Sequence, residues 1–283
     1  MSFLTQIERQ VQARVDQLSR TMERTHDLLS GDFAAALHAL VDALGADVDD
    51  AVVRVDRDEL ESPPDGETCR HTWERSVDQF ERLPEADEGG RTGWRCDPTD
   101  EAAWKSFRDV VGLAENATGA YFVYRVTLLR EEQDVFDAVP HHSSAGLNAD
   151  LLGETTVGEA NAALEDVAGC LVPSQPVVEW TADDRRWSVG GGSLCVERVD
   201  GPTSKCYEVT NLRRIRVTDD GTALDLRWAA EGFPDDLIGR TLSWAAGKLY
   251  SPPEMIPCES TARAAEVQAV LRETLERFDG RQV

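Results

Sequence analysis

Four side chains in this sequence are the candidates to assemble a transition-metal site: Cys69, His71, His141 and His142. Zinc takes thiolate and imidazole ligands, and genuine sites repeat them at short, regular spacings. Here Cys69 and His71 stand two apart in "CRH", a step that suits a strand or loop and not one face of a helix. The six cysteines, at 69, 96, 170, 195, 206 and 258, include no CxxC pair. The four residues are weak candidates for a metal-dependent enzyme or regulator, and no metal or other cofactor is expected. Other catalytic signatures are missing from the chain: there is no Gly-x-Ser-x-Gly elbow, no dinucleotide-binding glycine fingerprint and no His-Glu-x-x-His. Gly190, Gly191 and Gly192 are not followed by Lys-Ser/Thr, so they fail as a phosphate loop and read as a flexible turn. Carboxylate pairs abound, but among 53 acidic residues adjacency describes a solvated face. A non-enzymatic protein is the favoured reading.

A different chemistry gathers in "KCYEVTNLRRIRV". Lys205, Arg213, Arg214 and Arg216 collect there in a chain of 29 basic and 53 acidic residues. Ile215 and Val217 alternate with Arg214 and Arg216, which places the arginines on the solvent face of a strand. Pairing with neighbouring carboxylates such as Asp225 or Glu208 is the ordinary explanation. The functional one is a docking face for an acidic segment, with guanidinium groups supplying bidentate contacts. These four residues are the binding candidates. Nucleic acid is a poor fit, since counterion release needs a broad basic footprint and none exists outside this stripe.

The formal net charge is −24, and only Lys105, Lys205 and Lys248 are lysine. A dense acidic surface with almost no lysine resembles the haloarchaeal type of composition, found where the cytoplasm holds molar salt. Self-repulsion of that size opposes compaction in dilute buffer, and a Debye length of about 3 Å at 1 M salt removes most of it. The opening residues are charged throughout and no apolar run approaches a membrane span. A cytoplasmic protein without a membrane span is expected.

The elements that would carry these residues fall into two parts. Residues 173–283 hold 14 basic and 18 acidic residues, net −4, which leaves net −20 for residues 1–172. The first part, 1–172, reads as mainly helical. Leu4, Ile7, Val11, Val15, Leu18, Met22 and Leu29 form one apolar seam, suited to a helical hairpin or to a short coiled coil that would make a homodimer. Asp32 caps a second helix closed by Gly45. Helical spacing then links Trp73, Val77, Phe80 and Leu83, and again Trp104 through Val135, although "YFVYRV" within the latter alternates like a strand. Thr156 and Glu159 stand in the capping-box relation.

From Val172 onward short period-two segments take over, divided by Asp200-Gly201 and Asp219-Asp220-Gly221. A tight turn at Asp200-Gly201 sets Cys195 opposite Cys206, and in a reducing compartment two packed thiols are favoured over a disulfide. The last apolar stripe, Ala264, Val267, Leu271, Leu275 and Phe278, is helical. This order of strands, with "YEVTNLRRIRV", a turn at "DDG", "LDLRW" and one terminal amphipathic helix, resembles the pleckstrin-homology-like superfold, including its GRAM-type relatives. The resemblance implies an α+β chain in which 173–283 is a bent antiparallel sheet or partial barrel capped by its C-terminal helix. It also implies binding of phosphoinositides, peptides or proteins. The "VGGGS" loop lacks the lysines of a lipid site, so a partner protein or peptide is expected, and the chain reads as an interaction or scaffold protein. A transcriptional regulator acting as a helical dimer is a further alternative.

Overall fold

The computed structural model describes residues 22–62, 64–83, 91–199, 204–229 and 252–279. The chain divides into two compact units, Met1–Leu171 and Val172–Val283.

The first unit is built on a sheet, which overturns the expectation of a mainly helical region. Its eight strands are β1 (His26–Ser30), β2 (Asp50–Asp56), β3 (Glu81–Arg82), β4 (Arg91–Cys96), β5 (Val123–Arg130), β6 (Gln133–Val139), β7 (Ser144–Leu147) and β8 (Gly169–Pro173), in the order β3-β4-β2-β5-β6-β7-β1-β8. The seam expected over residues 4–29 lies mostly outside the described residues, as does the homodimer built on it, and Leu29 belongs to a strand.

Helices α1 (Phe33–Leu44), α2 (Gly66–Ser76), α3 (Glu101–Val111), α4 (Ala117–Phe122), α5 (Ala149–Leu152) and α6 (Glu154–Glu165) are distributed between the strands. Asp32 caps α1 as expected, its carboxylate accepting from the Ala35 N–H at 3.1 Å. Leu37, Leu40, Val41 and Leu44 then pack in one core with Ala51, Val53 and Val55 of β2 and with Val126 and Leu128 of β5. The long helix expected from Trp104 to Val135 ends at Val111. A 3-10 turn follows, Asn116 caps the short α4, and the chain extends at Val123. Tyr121, Tyr124 and Leu128 meet helical spacing by coincidence, whereas the central β5 completes its backbone hydrogen bonds with β2 on one side and β6 on the other. Nor is there a capping box at Thr156. The helix starts at Glu154, and the buried Thr156 hydroxyl donates to Asp47 at 2.8 Å. Beyond Trp73 the helical phase stops at Ser76; a 3-10 turn leads into the extended Glu81–Arg82.

Among its described residues the second unit holds two sheets and a helix. Strands β9 (Val178–Ala182), β10 (Arg185–Gly190), β11 (Ser193–Arg198) and β12 (Ser204–Glu208) form an antiparallel meander. Strands β13 (Leu212–Val217), β14 (Ala223–Trp228) and β15 (Met255–Pro257) form the other sheet, and α7 spans Thr261–Asp279. Trp187, Leu194, Ile215, Leu224 and Ile256 share one core with Ala264, Val267, Leu271 and Leu275 of α7, the stripe expected from its spacing. Trp180 stacks on Trp187 and donates its indole N–H to the Pro257 carbonyl at 2.9 Å, which ties the two sheets together.

In "VGGGS" Gly190 ends β10 and Gly191–Gly192 form the turn. Gly191 and Gly192 adopt φ of 54° and 69°, left-handed values that close the β10–β11 hairpin. A side chain on Gly190 would stand 2.7 Å from the Gln175 carbonyl oxygen.

Candidate functional site

The arginine stripe lies where strand alternation puts it, with one irregularity. Leu212 pairs with Trp228 and Arg214 with Arg227, so the register shifts at Arg213 and makes it the extra residue of a β-bulge. Bulges redirect side chains. Arg213 and Arg216 are exposed and Arg214 is partly so, while Leu212 and Ile215 turn into the core. Arg214 donates to the Asp225 carboxylate at 2.9 Å, the carboxylate that the sequence suggested. Both partners are well exposed, and such a pair contributes well under about 1 kcal/mol.

Alternation along "LDLRW" also exposes Arg227, directly opposite Arg214. Among the described residues the outer face of β13–β14 therefore gathers Arg213, Arg214, Arg216 and Arg227 around one carboxylate of these strands, Asp225. Arg213, Arg216 and Arg227 make no ion pair among the described residues. Met255, 61% exposed, is paired with Asp225 across β14–β15 and adds apolar surface to this face. Arg227 was legible in the alternation of Leu226, Arg227 and Trp228 once β14 was set beside β13. Lys205 does not join the group. It lies on edge strand β12 of the other sheet, where it pairs with Val196 and shares the parity of Tyr207.

Cys195 and Cys206 do face each other, in register on β11 and β12, and they are bonded. This corrects the expectation of two packed thiols. Antiparallel neighbours at a Cα separation of 4.0 Å bring the sulfur atoms within bonding reach without any movement of the strands.

The four metal candidates are not assembled. Cys69 and His71 share helix α2, contrary to the strand or loop that their spacing suggested; two residues apart there, Cys69 is buried and His71 exposed. Burial pushes the Cys69 thiol up, and Asp65 adds to this, so the thiolate that a metal needs is disfavoured. Among the described residues no group of three His, Cys, Asp or Glu is arranged to hold a metal ion.

His141 and His142 instead belong to a polar cluster at the sheet. Asp137 is 2% exposed, and both its oxygens are taken, one by Arg125 and the other by Arg24 at 3.1 Å. Arg24 reaches it by crossing Gly146, where a side chain would stand 2.7 Å from the Arg24 Cδ. Beside this clamp, a register shift between Arg54 and Val55 leaves Tyr124 as an extra residue of β5, and the Arg91 guanidinium lies 3.5 Å over its ring. His141 follows β6 in a 3-10 turn and stacks on Tyr121 and Tyr124, with ring centroids 5.4 and 4.9 Å away. Burial above all, then the charges of His142 and Arg91, lowers its pKa to about 4. At neutral pH it is an uncharged ring that can exchange hydrogen bonds but adds no positive charge. Nothing in the sequence signalled this cluster, because Arg24 and Asp137 are 113 residues apart.

No family model, no curated protein and no solved structure matches the chain.

Proposed function

We propose that this chain is a non-enzymatic interaction protein that binds an acidic segment of a partner protein through the outer face of β13–β14. The observation that carries the reading is the concentration of Arg213, Arg214, Arg216 and Arg227 around one carboxylate in a chain of net charge −24. Guanidinium groups keep bidentate contact with carboxylates where a simple point charge is screened, so such a face suits recognition in concentrated salt. The neighbouring exposed Met255 supplies apolar contact that salt does not weaken. A four-stranded meander, a three-stranded sheet and a terminal helix, in that order, support the resemblance of residues 173–283 to pleckstrin-homology-like recognition modules. A salt-rich cytoplasm is the setting that the composition supports. No helix among the described residues is long and apolar enough to cross a membrane.

Capture of partner proteins on the immobilised chain in molar KCl, with mass spectrometry of the bound fraction, tests the reading. Arg214→Glu together with Arg216→Glu is expected to lose the proteins that the native chain retains, at unchanged thermal midpoint. Retention of the same proteins by the doubly reversed variant would remove the proposal.

A further inference from the structure

A cleft in the first unit sets a buried hydrogen-bond donor beside an aromatic face. It opens between the 3-10 turn Arg57–Glu61, helix α2 and the sheet edge at β3–β4, and its volume is about 580 Å³. Small-molecule sites usually span roughly 300–1,000 Å³. The lining belongs to the first unit and shares no residue with the arginine face proposed above.

Alternation along β4 turns Thr92 and Trp94 to the same side of the sheet. The Trp94 indole N–H donates to the Thr92 hydroxyl at 3.0 Å, so this hydroxyl acts as an acceptor and still has its own proton to give. No acceptor for that proton stands among the described residues. Thr92 is 6% exposed, and a buried donor left without an acceptor is costly. The proton therefore calls for an acceptor that enters through the cleft. Beside it, Trp73 is 3% exposed and meets Trp94 edge to face at 5.2 Å. Trp94 is only half-buried, which leaves part of its ring to a flat ligand, and Leu60 and Val77 complete the apolar lining.

The charged residues of the rim favour neither sign. Arg70 lies 3.5 Å from Glu61 and donates to the Leu60 carbonyl at 3.0 Å. Arg82 already has a partner. Arg57 and Glu74 are exposed and make no ion pair among the described residues, which leaves one charge of each sign. A ligand with a net charge gains at one of them what it loses at the other.

From this lining we infer that the cleft binds an uncharged, flat aromatic compound bearing a carbonyl oxygen, its ring on Trp94 and its oxygen on the Thr92 hydroxyl. The hydroxyl lies within hydrogen-bond distance of the indole edge, so one small ring system reaches both. A hydrocarbon ring would cover Trp94 and leave the Thr92 proton buried without an acceptor. The carbonyl oxygen supplies that acceptor without bringing a charge to the rim. Lactams fused to an aromatic ring belong to this class.

Isothermal titration calorimetry on the full chain in molar KCl tests the inference with flat bicyclic probes. These are 1-methylquinolin-2-one, which carries the carbonyl; 1-methylindole, which has no such acceptor; naphthalene-2-carboxylate; and the 1-methylquinolinium cation. Saturable binding of the quinolinone is expected, about tenfold tighter than that of 1-methylindole, since a site with a buried donor rejects the ligand that leaves it unpaired. Both charged probes should bind more weakly than the quinolinone. Thr92→Val keeps the shape and removes the hydroxyl, and should bring the quinolinone down to the affinity of 1-methylindole while leaving the latter unchanged. Thr92→Ser should retain the preference, and Trp94→Leu should weaken both neutral probes. The comparison of probes on the native chain needs no variant, so it decides the matter even where a substitution lowers the thermal midpoint. No saturable binding of the quinolinone, equal affinity for 1-methylindole, tighter binding of either charged probe, or an undiminished preference in Thr92→Val would each overturn it.

Discussion

Asp137 is a buried carboxylate of the first unit that answers two guanidinium groups. It is 2% exposed and is shared by Arg125 and Arg24, the former 13% exposed. Removing one member of a buried ion pair is costly because the other charge is left without compensation. Asp137→Asn keeps the shape and deletes the charge, and about 3–5 kcal/mol of stability should go with it. Guanidinium chloride unfolding in molar salt reads the change, and a loss below about 1 kcal/mol would show that the clamp is solvated. His141 gives a pH dependence of defined sign. Its pKa is lowered from 6.5 to about 4, mainly by burial, so the folded protein binds fewer protons than the unfolded chain between those values. The stabilisation is complete above pH 6.5 and is lost as pH falls towards 4. Thermal midpoints measured across this interval should decline more steeply in the native protein than in His141→Gln. Parallel curves would mean that the ring is accessible to water. Neither residue was legible from its neighbours, since burial is decided by elements distant in sequence.

Elements were legible to the extent that their signals are local. The α7 stripe, the Asp32 cap and the alternation of β10, β11 and β13 depend on residues a few positions apart, and all three appear as expected. Two hairpin turns were not, because their chemistry is unusual. Glu131–Glu132 closes β5–β6 with φ of 50° and 64°. Asp183–Asp184 does the same between β9 and β10, with φ of 51° and 57°. Such turns ordinarily use Asn-Gly, so acidic pairs there pass for ordinary charged surface. Cysteine parity set Cys195 opposite Cys206, but the inference from compartment to thiol failed against the proximity of the strands. Titration of thiols in denaturant without reductant should therefore count four, those of Cys69, Cys96, Cys170 and Cys258. A count of six would refute the bond. Replacing both bonded cysteines by serine should cost the second unit about 2–3 kcal/mol, the range for a short closed loop.

Charge governs the molecule as a whole. Residues 1–172 carry net −20 of a total of −24, an excess that remains after every basic residue of that part is counted and that no internal ion pair can reduce. Raising KCl from 0.1 M to 1 M shortens the Debye length from about 10 Å to about 3 Å. The thermal midpoint is expected to climb throughout this range; a midpoint indifferent to salt would show that the acidic surface has some other purpose. Composition determined this electrostatic character, and local patterning determined the regular alternation of the second unit's strands, because both are properties of the chain read a few residues at a time. Only tertiary structure decided that apolar runs such as Val123–Leu128 become central strands and not turns of helix. It alone brought Arg24 to Asp137 and joined Trp73 to Trp94 beneath a rim of arginine. A short apolar run satisfies either period, and the choice falls to whichever distant partners complete its backbone hydrogen bonds and bury its side chains.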